Sequence, residues 1–329
     1  MTHNISTCPQ QLILPKKYHI PEALLHDEPI PEFLSITPES MNVIWPYLQQ
    51  ECGRTCDFSY GGLLMWEKLF HYQYAIHNET LFIKGKLESD MSRTAFSLPI
   101  GKEGLGECIK LLRRWCEYHG EEQLRFSAIP EYAIDVFSQH LPSVIKEQPA
   151  WADYLYDIIP LATLSGKKMA KKRNHFNKFK SEFPNHIFEA LGPNNINDAF
   201  ELLTRLESKV TDYSAMAVAE RKLTLDTLRM FASKNLPMSG GILYANNKPI
   251  ALTIGDVKKD TLFIHIEKAD RDIAGSYEAI NKYFASYMLA CFPALKYINR
   301  EDDAGDPGLR KAKESYHPIA LLKKYDILF

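Results

Sequence analysis

The stretch TLFIHIEKADRDIAGSYEAINKYFASYMLA, Thr261–Ala290, decides the fold of this chain. The alternation of residue types at its start predicts a strand, Thr261–Lys268, because successive strand side chains point to opposite faces. One predicted face carries Leu262, Ile264 and Ile266, and the other carries Phe263, His265 and Glu267. Two ionisable side chains are therefore expected side by side near the carboxyl end of this strand.

A loop, Asp270–Gly275, leads from this strand into an amphipathic helix, Ser276–Cys291. The start of a helix offers free backbone N–H groups and a partial positive charge, which suit a phosphate group. A titratable strand end beside such a helix start is the layout of a transferase that holds a phosphorylated donor.

The composition is that of a soluble globular protein: 329 residues, 45% apolar and 24% charged, with a formal net charge of −2. The chain as a whole is not basic, so its net charge does not indicate nucleic-acid binding. A site for an anion must therefore come from a local cluster of basic residues. The six cysteines include no C-x-x-C pair, which favours reduced thiols over a zinc site. The N-terminus lacks signal-peptide features, and no window approaches the ~18 apolar residues that span a bilayer. We expect a cytoplasmic protein without an integral membrane segment.

The two halves of the chain show the same order of elements: helix, hairpin, strand, loop, helix, strand. Hairpins are predicted around His77-Asn78-Glu79 and around Asn246-Asn247-Lys248. A last strand is predicted at Ile319–Tyr325. The pattern predicts an α+β fold with two tandem copies of one unit, each with a mixed, largely antiparallel sheet. The predicted division is an N-terminal extension at 1–34, a first domain at 35–160 and a second domain at 161–329 that begins with a basic helix.

The basic helix reads GKKMAKKRNHFNKFK from Gly166 to Lys180, with seven Lys or Arg among fifteen residues and no acidic residue. Apolar residues at helical spacing predict a buried face, namely Met169, Phe176, Phe179 and Phe183. The opposite face carries Lys168, Lys171, Lys172 and Lys178. This segment is either a solvated helix between two domains or a site for a polyanion, such as transfer RNA, an anionic headgroup or the phosphates of coenzyme A.

A second charged cluster follows the short strand that ends near Asn299. Arg300, Glu301 and Asp302 would emerge at a strand end, and Tyr316 begins a later connection. Such mixed charges are either solvated and locally paired or part of a site. No metal is expected, because nothing else in the chain has metal-loop spacing.

His265 and Glu267 also have two interpretations. A histidine in a strand can be a hydrogen-bonded structural residue. A partly buried Glu267 would have a raised pKa and would be a better base near neutral pH, unless Lys268 pairs with it.

Three segments together resemble a known family: GKKMAKKRNHFNKF, HIEKADRDIAGSYEAIN and YINREDDAGDPGLRKAKESYHP. They look like soluble bacterial proteins related to the C-terminal catalytic domain of phosphatidylglycerol lysyltransferases. The resemblance covers the chain from about residue 35 to its end. It implies two tandem GCN5-related N-acetyltransferase folds, as in the Fem-type peptidyltransferases.

The resemblance also implies a donor. Acetyltransferases of this fold hold acyl-CoA where the sheet separates beside the strand that matches Thr261–Lys268. The pyrophosphate then lies on the loop that matches Arg271–Ser276. The lysyltransferases and the Fem-type enzymes use aminoacyl-tRNA instead.

We therefore predict an acyl- or aminoacyl-transferase that acts on an amine or hydroxyl of a small molecule or a lipid headgroup; the alternative is a non-catalytic module that binds an anionic metabolite or RNA. Glu267 is the predicted base, with His265 next, and Tyr316 is the predicted acid. The predicted donor-binding residues are Arg271, Ala274, Gly275, Ser276, Lys167, Lys168, Lys171, Lys172 and Arg173. The predicted acceptor-binding residues are Asn299, Arg300 and Glu301.

Overall fold

The computed structural model describes residues 29–87, 90–209 and 215–329. Residues 1–28 of the predicted N-terminal extension lie outside the described part. The helices are α1 Met41–Leu48, α2 Tyr60–Phe70, α3 Leu105–His119, α4 Ile134–Ser138, α5 Ile158–Thr163, α6 Ala170–Glu182, α7 Ile196–Glu207, α8 Ala215–Ser233, α9 Ser276–Cys291 and α10 Pro307–Glu314.

The strands form two sheets. They are β1 Leu34–Ser35, β2 Gln73–His77, β3 Thr80–Leu87, β4 Asp90–Phe96, β5 Ile100–Gly101, β6 Arg125–Pro130, β7 Val144–Glu147, β8 Asp153–Asp157, β9 Ile187–Ala190, β10 Met238–Ala245, β11 Lys248–Lys258, β12 Thr261–Ala269, β13 Tyr297–Asn299, β14 Ala320–Leu322 and β15 Lys324–Leu328. Among the described residues, no helix is both long enough and apolar enough to cross a bilayer.

The two sheets have matching strand orders. The first runs β1-β2-β3-β4-β6-β15-β7, with β5 beside β3, and the second runs β9-β10-β11-β12-β13-β8-β14. Each sheet has one described parallel pair, β4 with β6 and β12 with β13. The other described pairs are antiparallel. The predicted mixed, largely antiparallel sheets are therefore confirmed.

The two units exchange a strand. β8 follows the first unit in sequence but pairs with β13 and β14 in the second sheet, whereas β15 returns from the C-terminus to pair with β6 and β7 in the first. The single last strand predicted at Ile319–Tyr325 is wrong, since its residues lie partly in β14 and partly in β15, in different sheets. The division between residues 160 and 161 stays a prediction. β8 lies before this point but belongs to the second sheet, and β15 lies after it but belongs to the first.

Both predicted hairpins are present. Their turns need residues with positive φ, which asparagine adopts more readily than most residues. The φ angles are 45° at Asn78 and 54° at Glu79 in the first turn, and 51° at Asn246 and 59° at Asn247 in the second. These turns fix the antiparallel pairs β2–β3 and β10–β11.

One core cluster packs the two units against each other. It joins Leu63 of α2 and Ile83 of β3, from the first unit, to Leu202 of α7 and Ile254 of β11, from the second. A second cluster packs α5, α6 and α9 on the other face of the second sheet, and a third lies around α3. The second sheet is thus covered on both faces, which excludes water from its central strands.

β12 contains a β-bulge at His265. Ile266 pairs with Ile254 of β11, while Ile264 pairs with the next residue, Gly255, so His265 is an additional residue in β12. Ile264 therefore packs with α9, whereas Ile266 packs in the cluster between the units. The prediction that Ile264 and Ile266 share a face is wrong, because simple alternation does not hold across the additional residue.

A buried ion pair joins the exchanged strands at their first residues. Lys324 of β15 places its Nζ 2.8 Å from Oδ1 of Asp153 in β8 and 2.8 Å from Oδ2 of Asp57. The Lys324 and Asp153 side chains are 2% and 0% exposed. The ammonium also lies 3.4 Å from the Cys56 thiol. The Lys324 ammonium therefore lies among the side chains of Cys56, Asp57 and Asp153. The ligand atoms of these three side chains are close enough together to hold a metal ion, and here the ammonium is their cation.

We expect Lys324→Met to lower the free energy of unfolding by about 3–5 kcal/mol, because it leaves the buried carboxylate of Asp153 and the partly exposed carboxylate of Asp57 without their cation. Chemical denaturation of the variant and the wild type measures this difference. The control is Lys110→Met, which removes an exposed pair with Glu107 and should cost less than about 1 kcal/mol. A loss below about 1 kcal/mol for Lys324→Met would contradict the role given to this pair.

Candidate active site

The two parallel strands of the second sheet separate at their carboxyl ends. β12 and β13 pair from Thr261 with Tyr297 to Phe263 with Asn299. β13 ends there, whereas β12 continues to Ala269. The edge of β12 beyond Phe263 therefore faces a gap, as the resemblance implies. Side chains from β12, α9 and the segment after β13 meet in this gap.

Glu267 is at the centre of this gap. Arg300 Nη2 donates a hydrogen bond to Glu267 Oε1 at 2.6 Å, and Asn281 Nδ2 of α9 donates to Glu267 Oε2 at 3.2 Å. The Arg300 and Glu267 side chains are only 12% and 9% exposed. Lys268 does not neutralise Glu267, because its ammonium bonds Glu220 of α8 at 2.6 Å.

Tyr316 lies against Arg300 and Lys172. The Arg300 guanidinium is 4.7 Å, and the Lys172 ammonium 3.9 Å, from the centre of the Tyr316 ring. Burial raises the pKa of Tyr316 well above its usual value, even though Arg300 opposes this effect. The phenol therefore stays protonated near neutral pH and can donate its O–H.

Lys172 turns inward from α6. Its ammonium lies 3.2 Å from Glu278 Oε1 of α9, and His175 Nδ1 lies 3.4 Å from the same oxygen. Burial lowers the pKa of Lys172, while Glu278 acts in the opposite direction. The prediction that Lys172 belongs to the outward face of the basic helix is wrong, since its side chain is 13% exposed. The anion on α9 accounts for this inward orientation.

Four buried polar atoms around Glu267 have no hydrogen-bond partner in the protein. They are Arg300 Nη1, Tyr316 Oη, Asn281 Oδ1 and Thr253 Oγ1. Thr253 of β11 is directly opposite Glu267 in the strand pairing, so both side chains lie on one face. Buried polar groups are rarely unsatisfied in folded proteins. Four in one place indicate a site that a polar ligand completes.

We call these residues the Glu267 cluster: Thr253, Glu267, Asn281, Arg300 and Tyr316, together with the adjacent pair Lys172 and Glu278. The structure thus brings together four of the predicted site residues, namely Lys172, Glu267, Arg300 and Tyr316. Sequence reasoning missed Thr253, Glu278 and Asn281. Glu278 and Asn281 are three residues apart and share one helix face that is otherwise apolar, a signal that was present in the sequence.

His265 lies on the opposite face of the sheet from Glu267. Its Nδ1 is 2.8 Å from Glu301 Oε1, and its Nε2 bonds Asp256. Asp256 also accepts hydrogen bonds from the backbone N–H groups of Tyr60 at 3.3 Å and Gly61 at 3.0 Å, at the start of α2. These contacts connect β12 to the first unit.

The charge on His265 is fixed by these carboxylates. Burial disfavours the charged imidazolium, but Asp256 and Glu301 outweigh burial and raise the pKa of His265 to about 10. His265 is therefore a cation near neutral pH and has no free nitrogen lone pair for proton abstraction. The role of His265 as a base stays a prediction, and this protonation state gives it no support.

Asn299 and Glu301 do not lie in the Glu267 cluster. Asn299 is fully buried, and its Nδ2 donates to the Arg54 carbonyl at 2.6 Å and to Asp153 at 2.8 Å. Glu301 has a left-handed φ of 56°, and its N–H donates to Asn299 Oδ1 at 2.6 Å. Of the three predicted acceptor-binding residues, only Arg300 reaches the cluster.

The start of α9 is covered by α6. A Cβ atom on Gly275, which has a φ of 83°, would lie 2.6 Å from the His175 carbonyl oxygen. The Ser276 hydroxyl donates to the Asp270 carbonyl at 2.8 Å. Arg271 and Ala274 are exposed on the loop. The phosphate-binding role of this loop stays a prediction, and these contacts give it no support.

The basic segment, Gly166 to Lys180, has several exposed cations beside the Glu267 cluster. Lys167, Lys168 and Lys171 are exposed, while Phe176 and Phe179 are buried as predicted. Arg173 is not part of the exposed set, because its guanidinium donates to the carbonyl oxygens of Leu164 at 2.7 Å and Gly166 at 3.2 Å.

Several known proteins are similar to this chain in sequence or in fold. The sequence model of a family described as phosphatidylglycerol lysyltransferase, C-terminal, matches residues 52–328. The crystal structure of a conserved protein of unknown function from Bacteroides thetaiotaomicron is 30% identical, with a TM-score of 0.83, and the match covers 91% of this chain and 99% of that one.

More distant similarities agree. L-PGS from Bacillus licheniformis is 14% identical, with a TM-score of 0.59 over 88% of this chain and 91% of that one. That likeness concerns the fold alone, and with the two mixed sheets it confirms the predicted α+β fold of two units. An uncharacterised protein of Mycoplasmoides gallisepticum is 26% identical over 182 residues, or 53% of this chain. This match spans only about half of that relative, 54% of its length.

The carboxylates of Asp256 and Glu301, which bond both nitrogens of His265, predict that the free energy of unfolding depends on pH. The folded pKa of His265, about 10, lies above the ordinary value of about 6.5. The stabilisation is therefore complete below about pH 6.5 and is lost as the pH rises toward 10, by up to about 1.4 kcal/mol per pH unit.

Unfolding free energies measured from pH 6 to 10 for the wild type and for His265→Gln check this prediction. Their difference should shrink as the pH rises. The control is His175→Gln, whose side chain is 50% exposed, and it should follow the wild-type curve. Parallel curves for the wild type and His265→Gln would show that the histidine is not held as a cation.

Proposed function

Because the chain belongs to the family of the C-terminal domain of phosphatidylglycerol lysyltransferases, we propose that it transfers an aminoacyl group from transfer RNA to an amine or hydroxyl acceptor. The observation that carries this proposal is the set of four unpartnered polar atoms around Glu267. They combine two donors and two acceptors, all of them buried from solvent.

An aminoacyl ester presents groups that complement these atoms. Its carbonyl oxygen accepts hydrogen bonds, which Arg300 Nη1 can donate, and its ribose ester oxygen accepts one, which the Tyr316 hydroxyl can donate. Its α-ammonium donates hydrogen bonds, which Asn281 Oδ1 and Thr253 Oγ1 can accept beside the carboxylate of Glu267. The site therefore matches an amino acid bound as an ester better than it matches a plain acyl group, which has no ammonium.

The proposed chemistry is direct attack on the ester carbonyl. The acceptor nitrogen or oxygen forms a bond to the carbonyl carbon, and the bond from that carbon to the ribose oxygen breaks. Glu267 receives the proton of the nucleophile, and the Tyr316 hydroxyl donates a proton to the departing ribose oxygen. The Arg300 guanidinium stabilises the negative charge on the carbonyl oxygen in the transition state.

Three features favour aminoacyl-tRNA over acyl-CoA as the donor. The pair of Arg300 and Glu267 lies across the gap beside β12, where a pantetheine arm would have to run. α6 covers the helix start that would hold the pyrophosphate. In contrast, the exposed lysines of the basic segment suit the phosphate backbone of an RNA.

The acceptor that we propose is an amine or hydroxyl on a small molecule or a lipid headgroup, and the place of the reaction is the cytoplasm, where charged transfer RNA is present. The family name refers to phosphatidylglycerol, which makes a headgroup the first acceptor to test. A mixture of amines and headgroup analogues extends the test to other nucleophiles.

Glu267→Gln should reduce transfer by about 10²–10⁴-fold, because the amide cannot accept the proton. Tyr316→Phe should reduce it by about 10²–10³-fold through loss of one donor. Release of deacylated transfer RNA measures transfer, and a filter assay measures donor binding, which should persist. Tyr118→Phe is the matched control, since Tyr118 is 50% exposed on α3.

Normal turnover by Glu267→Gln would reject the assignment of the base. The non-catalytic alternative predicts a different result. The wild type would then bind charged transfer RNA but would release no deacylated product with any acceptor in the mixture.

The basic segment generates a separate prediction. Replacing Lys167, Lys168 and Lys171 by Ala should weaken binding of transfer RNA. It should also flatten the plot of log affinity against log salt by about 0.7–0.9 for each phosphate that the variant no longer neutralises. The matched control replaces three exposed lysines elsewhere, Lys102, Lys110 and Lys146, and should leave the slope unchanged. An unchanged slope in the first variant would exclude this segment from RNA binding.

A further inference from the structure

We infer that the aminoacyl group accepted by the Glu267 cluster carries an uncharged side chain. This inference rests on the proposed function and specifies its donor. It comes from the balance of charges among the residues that line the cluster in the described part of the chain. A lysyl group, which the family name suggests, is not what this balance favours.

Each carboxylate of the cluster already has a cation. Glu267 Oε1 accepts a hydrogen bond from Arg300 at 2.6 Å, and Glu278 Oε1 lies 3.2 Å from the Lys172 ammonium. All four side chains are at most 13% exposed. The two acidic and two basic groups therefore cancel, and neither carboxylate is left without a counter-charge.

The groups that remain for a ligand are mostly neutral. Thr253 offers a hydroxyl, Asn281 a carbonyl oxygen and Tyr316 a phenol, while Arg300 offers the NH2 group at Nη1 of a guanidinium that is already paired. Together they provide for one α-ammonium and one ester carbonyl. The α-ammonium takes up the unpartnered acceptors of Asn281 and Thr253. No unpartnered acceptor and no unpaired anion then remain among these residues for a side-chain ammonium, and no unpaired cation remains for a side-chain carboxylate.

The site should therefore discriminate strongly against aminoacyl groups with charged side chains. Burying a charged side chain without a counter-ion is far more costly than burying a neutral polar or apolar one. A lysyl side chain would bind there only by displacing Lys172 from Glu278. Lys172 is held on both sides, since its ammonium also lies 3.9 Å from the centre of the Tyr316 ring.

The test uses one transfer RNA body, charged by an acylating ribozyme with alanine, serine, glutamine or lysine. Because the RNA is constant, differences in affinity for the full chain report on the aminoacyl group alone. We expect at least one neutral aminoacyl form to bind more tightly than uncharged RNA, and to bind at least about tenfold more tightly than the lysyl form. Lysyl-RNA that binds as tightly as the best neutral form overturns the inference.

Two results separate the inference from the proposed function. If no charged RNA binds more tightly than uncharged RNA, the aminoacyl site itself is rejected, and the inference falls with it. If lysyl-RNA binds best and its aminoacyl group is transferred, the proposed function stands and only the inference fails.

Lys172→Gln provides a direct test of the charge argument. It removes the ammonium nearest to Glu278 and leaves this buried carboxylate only the half-exposed His175, 3.4 Å away, so the ratio of lysyl to alanyl affinity should rise at least about tenfold, because the carboxylate can then pair with a lysyl ammonium. Lys178→Gln is the matched control on the exposed side of α6 and should leave this ratio unchanged. A constant ratio in Lys172→Gln would show that Glu278 does not control side-chain charge, and would overturn the inference.

Discussion

The additional residue at His265 in β12 determines which side chains share the candidate site. Without the bulge, His265 and Glu267 would lie on one face, two residues apart. With it, Glu267 turns toward α9 and Arg300, while His265 turns toward α2 and Asp256. One face of the strand thus supplies a cluster with unpartnered polar atoms, and the other supplies a fully bonded connection to the first unit.

The different contacts on the two faces of β12 depend on the segment after β13. Arg300 and Glu301 are adjacent but extend to opposite sides, Arg300 to Glu267 and Glu301 to the imidazolium of His265. The left-handed backbone at Glu301 makes this possible, and the hydrogen bond to Asn299 Oδ1 holds it. Asn299 also donates a hydrogen bond to Asp153 of the exchanged strand β8. The position of Arg300, which follows Asn299, is therefore linked to the exchange of this strand.

The elements with local signals were predictable from the sequence. Paired turn residues at Asn246 and Asn247 fixed a hairpin, and the spacing of Phe176 and Phe179 fixed the buried face of α6. The exchange of β8 and β15 was not predictable, because strand pairing between distant segments leaves no local pattern. The bulge at His265 was missed for a related reason: it appears only in the register against β11, and it reversed the face of every residue after it.

The cost of the cluster bears on its function. A buried polar group without a partner costs about 1–3 kcal/mol, so four such groups cost about 4–12 kcal/mol, comparable to the net stability of a whole domain. Packing alone does not explain their retention, since apolar side chains of similar size would fill the same space at lower cost. The loop and helix start at residues 270–276, which the structure describes, contain no such side-chain atom. This cost supports the proposal that a ligand binds where the protein leaves its side-chain hydrogen bonds incomplete, around Glu267.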